Sequence, residues 1–149
     1  MAFGATTYLD TTDRSTTIGR EWDMVEVDCT LSTIAVDAPR QLVPIYDNEG
    51  IVVLGIDTVT AGTASAVINV GIHNASATAI DEDYFVDVLD VATGVFTVAP
   101  GGTAPSGTNA TYVNRTAATV YLTIDADTQP DSAGKYRIYY RKFPVPEVV

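Results

Sequence analysis

At 149 residues, with 8 Lys+Arg against 19 Asp+Glu and a formal net charge of −11, the chain is one acidic domain's worth of sequence. This charge balance argues against general binding to nucleic acid or to anionic membranes, both of which need clustered bases. The single cysteine, Cys29, excludes an internal disulfide and a cysteine-based zinc site.

No apolar stretch approaches the ~18 residues of a membrane span. The opening MAFGATTYLDTTDR lacks a basic region followed by an apolar core, so it does not read as a signal peptide. Folding in a cytoplasm is the expectation. Thr, Val, Ile and Tyr are plentiful and strong helix formers are scarce, which favours strands.

Residues 1–21 carry Thr, Gly and Asp without a period. They read either as a frayed terminus or as an arm that orders on a partner, anchored by Phe3, Tyr8, Leu9 and Ile18. Residues 22–149 then form the single domain.

Over 22–36, Trp22, Met24, Glu26 and Asp28 alternate with Asp23, Val25, Val27 and Cys29, as a strand requires. Cys29 reads as a strand position. Pro39 breaks the pattern, and Gln41–Tyr46 is a short strand whose Pro44 suggests an edge or a bulge. Asp47-Asn48-Glu49-Gly50 is a turn.

Residues 51–73, IVVLGIDTVTAGTASAVINVGIH, read as the organising unit: two long strands joined by a polar turn at Thr60-Ala61-Gly62-Thr63. On the return limb, Ile68, Val70 and Ile72 oppose Asn69, Gly71 and His73. His73–Asp83 reads as a loop of small and acidic residues, leading into a strand from Tyr84 to Leu89. Val95–Val98 is a strand, and 99–109 (APGGTAPSGTN) is an exposed Gly/Pro/Ser loop. That loop lacks the Lys-Ser/Thr ending and the following helix of a phosphate cradle. Ala110–Asn114 and Thr119–Ile124 are strands, Asp125–Gly134 is an acidic loop, and Lys135–Phe143 is the last strand. Some nine or ten short strands without a helix predict an all-β fold, an antiparallel β-sandwich or jelly-roll-like domain with an extended N-terminal arm.

Chemistry is harder to place. His73 is the sole histidine, and no Gly-x-Ser-x-Gly elbow is present. A nucleophilic site would need His73 beside Cys29 or a serine. Two acidic clusters, Asp81-Glu82-Asp83 with Asp87 and Asp90, and Asp125 with Asp127 and Asp131, offer oxygens to calcium. Neither has the spacing of a calcium loop, and both read as solvated loops. The expectation is therefore no catalytic residue, no cofactor and no metal. Three Asn-x-Ser/Thr sites, at Asn74, Asn109 and Asn114, are what a Thr-rich chain produces by chance.

One asymmetry remains. Lys135, Arg137, Arg141 and Lys142, half of the bases, lie in the last strand with Tyr139. Either this is an edge strand blunted by charge, or it is a contact face that meets an acidic surface.

The order of QLVPIYDNEG, IVVLGIDTVTAGTAS, VINVGI, DEDYFVDVLD, VYLTI and GKYRIYY resembles small all-β virion proteins of tailed bacteriophages, most of all capsid decoration (cement) proteins, over about residues 36–142. The resemblance implies a non-enzymatic protein on the outer capsid surface that bridges neighbouring subunits. It implies the major capsid protein and other copies of the chain, in a homotrimer, as partners. It transfers no active-site residues. Interface residues expected on this reading are Phe3, Tyr8, Leu9, Lys135, Arg137, Tyr139, Arg141 and Lys142. A head-fibre, tail or receptor-facing module, and a small carbohydrate-binding module, are the alternatives.

Overall fold

The computed structural model describes residues 22–29, 39–60, 67–90, 96–102, 109–128 and 134–147. The expected arm, with Phe3, Tyr8 and Leu9, lies outside them. Ten strands account for most of the described chain: β1 (Asp23–Cys29), β2 (Arg40–Ile45), β3 (Glu49–Thr60), β4 (Val67–Asn74), β5 (Ala79–Asp90), β6 (Phe96–Val98), β7 (Gly101–Gly102), β8 (Thr111–Asn114), β9 (Val120–Thr128) and β10 (Gly134–Pro144). Among the described residues there is no helix.

The strands form two five-stranded sheets. The first has the order β1-β10-β3-β6, with β8 also on β3, and the second β2-β9-β4-β5-β7. All pairings are antiparallel except the two-residue contact of β5 with β7. The all-β sandwich expected from strand spacing is what the chain forms.

Alternation explains the core. Val27, Ile51, Val53, Ile56, Tyr136 and Ile138 of the first sheet are buried, as are Ile45, Ile68, Val70, Ile72, Leu122 and Ile124 of the second. They belong to one continuous apolar cluster.

Three local expectations fail. The stretch 51–73 is not a hairpin, because β3 lies in the first sheet and β4 in the second. An alternating apolar limb buries one face equally well against either sheet, so periodicity does not say which strand it pairs with. β10 is not an edge strand either; it lies between β1 and β3. Finally, 74–83 is no long loop. Asn74 Oδ1 accepts the amides of Ser76 and Thr78, both at 2.9 Å, and this closes a tight turn between β4 and β5. The loop 99–109 is also partly tied in, with Ala99 buried and Gly101–Gly102 paired to β5.

Among the described strands, only β4 and β5 are both consecutive in sequence and neighbours in one sheet. Every other step crosses the sandwich.

Asn114 pins one of these crossings. It is fully buried, and its Nδ2 donates to the carbonyls of Ile45 and Ala118, both at 2.9 Å. Its Oδ1 accepts from the amide of Thr116 at 3.0 Å and from Thr116 Oγ1 at 2.8 Å. All four hydrogen bonds of the amide are therefore used. The side chain that fits a glycosylation pattern in sequence is a structural fastener.

Candidate functional site: an outer sheet face and a covered polar cluster

The register of the first sheet fixes what its outer face presents. One row across the strands is Met24, Tyr139, Gly55 and Val98; the next is Glu26, Arg137, Asp57 and Phe96. Lys135 lies one row further on, and Arg141 packs over the ring of Trp22, 4.9 Å from its centroid. Four of the residues singled out in sequence, Lys135, Arg137, Tyr139 and Arg141, therefore sit together on one face.

Two of the bases there are paired within the molecule. Glu26 receives Arg137 Nε at 2.8 Å and Lys135 Nζ at 3.5 Å. The Arg137 hydrogen bond is the main reason that the Glu26 carboxyl is held below its ordinary range. Lys142 is placed apart, near the β2–β3 turn. Its Nζ lies 2.6 Å from Glu49 Oε2 and 4.9 Å from the centroid of the Tyr46 ring. Burial pushes the Glu49 carboxyl up, but Lys142 and the Tyr46 amide outweigh it, and the net shift is downward. In what sequence reads as a basic strip, Lys135 and Arg137 thus share Glu26 of β1, and Lys142 pairs with Glu49 of β3. Cross-strand pairing was invisible without the strand order.

Aromatic and apolar groups share this face. Phe96 and Val98 on edge strand β6 are 46% and 56% exposed. The Phe96 ring meets Tyr139 edge-on, with centroids 6.0 Å apart and planes at 63°. Gly55, opposite both strands, makes the approach possible, because a Cβ there would lie 2.2 Å from the Thr97 carbonyl oxygen. The inclined rings do not form the flat platform on which a sugar stacks.

The second sheet carries a different group. On the face of β4 and β9 opposite the core, Asn69 pairs in register with Asp125, Gly71 with Thr123, and His73 with Tyr121. Asn69, His73, Thr123 and Asp125 are all buried there. The cover comes at least in part from β5, which leaves the ladder between the pairs Val70↔Val86 and Ile72↔Asp81. At this bulge its main chain passes over Gly71, where a Cβ would lie 2.2 Å from the Glu82 carbonyl carbon and oxygen. Asn69 Oδ1 accepts the Val88 amide at 2.8 Å, holding Val88 at a φ of 52°. Such a backbone is uncommon for a β-branched residue.

His73 Nδ1 lies 2.7 Å from Thr123 Oγ1. Burial lowers the His73 pKa, with Asp125 pulling the other way, so the ring is neutral at pH 7. Nearby, burial and then Asp83 push the Asp81 carboxyl up to about 6. Glu82 comes from one of the acidic clusters noted in sequence and Asp125 from the other; the fold brings them together beside His73. Sequence reasoning missed this because Asp125 lies far along the chain from His73 and Glu82 and reads as the start of a loop.

The other sequence candidate does not form. His73 faces away from the first sheet, and Cys29 belongs to β1 of that sheet, so the two positions are on different layers.

No family model matches the chain, and no curated protein matches it. Among solved structures, it is similar to a chain in the acidic stable capsid structure of Helicobacter pylori bacteriophage KHP30, at 14% identity and a TM-score of 0.47, over 87% of this chain and 97% of that one.

Proposed function

We propose that the chain is a non-enzymatic structural protein of a phage particle, a capsid decoration (cement) protein that binds the outer surface of the shell and bridges neighbouring capsid subunits. The observation that carries the reading is the outer face of the first sheet. Exposed Phe96 and Val98 lie there beside Tyr139, while Lys135 and Arg137 are both paired with Glu26. On a chain of net charge −11, this face combines aromatic surface with bases that are partly paired within the molecule, and it suits burial against another protein. Residues 1–21 are the arm proposed to reach a neighbouring subunit. The sequence resemblance to cement proteins points the same way, and it carries the proposal of a homotrimer and of the major capsid protein as partner.

Co-sedimentation of the purified protein with undecorated capsids tests this. Saturable binding that weakens on removal of residues 1–21, and again on Val98→Glu, is the expected result. Absence of binding by the full chain overturns the cement reading.

A further inference from the structure

The first sheet's outer face is accounted for by the reading above; the covered cluster on the second sheet is not. His73 of β4, Glu82 of β5 and Asp125 of β9 each present one ligand-type atom, and the three atoms lie within 4.8 Å of one another. We propose that these residues hold one divalent transition-metal ion, zinc or manganese, which fastens β5 across β4 and β9.

The donor set selects the class of ion. One imidazole nitrogen and two carboxylate oxygens suit zinc or manganese, whereas calcium and magnesium take oxygen ligands. The His73 side is built as a ligand. Thr123 Oγ1, 2.7 Å from Nδ1, fixes the ring, and the tautomer with hydrogen on Nδ1 leaves Nε2 as the metal-binding atom. His73 and Asp125 are 2% and 4% exposed, which restrains both groups before an ion arrives. Asp125 Oδ1 accepts the Ala126 amide at 2.8 Å, and this orients the carboxylate on its strand.

Backbone geometry supplies the third ligand. Glu82 stands over the sheet only because β5 bulges out of the ladder, and because residue 71 is a glycine over which that bulge can pass. Metal bonds of about 2.0–2.2 Å hold tetrahedral ligands roughly 3.4 Å apart. Closing from 4.8 Å to that spacing asks for a movement of up to about 1.4 Å. Glu82 is the exposed ligand of the three and so the one best placed to move. Water completes the coordination shell.

The test uses the full chain, stripped with a chelator and titrated with zinc chloride, manganese chloride and, as a contrast, calcium chloride. Calorimetry should show one equivalent of zinc or manganese per chain at micromolar or tighter affinity, with a rise of several degrees in Tm. Glu82→Gln, at an exposed position, should keep the fold and bind at least tenfold more weakly. His73→Gln should abolish binding. No stoichiometric binding by the parent chain overturns the proposal. So does binding unchanged by Glu82→Gln, or calcium binding that equals zinc binding, because either would be an effect of surface carboxylates.

Discussion

The amide of Asn114, on β8 of the first sheet, donates to the carbonyl of Ile45, on β2 of the second, across 2.9 Å of fully buried space. Asn114→Ala would remove the donor to the carbonyls of Ile45 and Ala118 and release the Thr116 turn. The expected loss is about 3 kcal/mol in urea denaturation, from several unmade buried hydrogen bonds. A loss below about 1 kcal/mol would show that the crossing holds without its fastener.

Gly71→Ala is expected to be costly despite the small change. The added methyl would meet main-chain atoms of Glu82, which cannot rotate aside as a side chain can. Overpacking of this kind costs about 1–3 kcal/mol. The same substitution should lift β5 and weaken zinc binding, so calorimetry and denaturation should report a joint effect. Retention of parental stability would mean that the bulge is free to move.

The pH response should separate two groups on the second sheet. Asp81 has a folded pKa of about 6, above its ordinary 3.8. Its neutral form favours the native state, and that contribution is present below about pH 4 and lost as pH rises through 6. Asp81→Asn should therefore stabilise the protein at pH 7, by about 1 kcal/mol after allowance for solvent screening, and give no gain at pH 4. His73 acts oppositely. Its lowered pKa contributes stability above its ordinary 6.5 that is lost as pH falls. Melting curves of the parent and Asp81→Asn at pH 4, 5.5 and 7 check this; equal gains at all three would remove Asp81 as the cause.

On the outer face of the first sheet, function and stability should come apart. Glu26→Gln breaks pairs whose partners are more than one-third exposed, so it should cost less than about 1 kcal/mol. Phe96→Asp likewise replaces a half-exposed ring. Both should leave the fold intact, and Phe96→Asp should reduce capsid co-sedimentation at least tenfold. Unaltered binding by both variants would place the contact elsewhere.

Strand positions were largely legible from sequence, because alternation of Val, Ile and Leu marks a half-buried strand wherever it lies. Val27, Ile56, Val70 and Ile138 all occupy core positions that this pattern assigns. Partnership was not legible. Nothing in IVVLGIDTVT distinguishes pairing with VINVGIH from pairing with KYRIYYRKF, and the latter is what occurs. The covered polar cluster was hidden for a related reason. Asp81, Glu82 and Asp83 have a loop's composition, and only the bulged strand passing over Gly71 brings Glu82 beside His73 and Asp125. The interface candidates fared differently: the shared face of Arg137 and Tyr139 followed from alternation, but the pairing of Arg137 with Glu26 required the neighbour β1.

β1 and β10 are antiparallel neighbours, with Asp23 opposite Tyr140 and Cys29 opposite Gly134. The chain therefore enters β1 and leaves β10 at the same end of the sheet. Tension between the two termini would peel these strands apart one rung at a time, the mechanically weak direction for a ladder. Tension between an anchored N-terminal segment and a partner held on the sheet's outer face would be shared by the neighbouring strands. A protein wired in this way resists load best when it is gripped by its first residues and its broad face, and worst when pulled by its two ends.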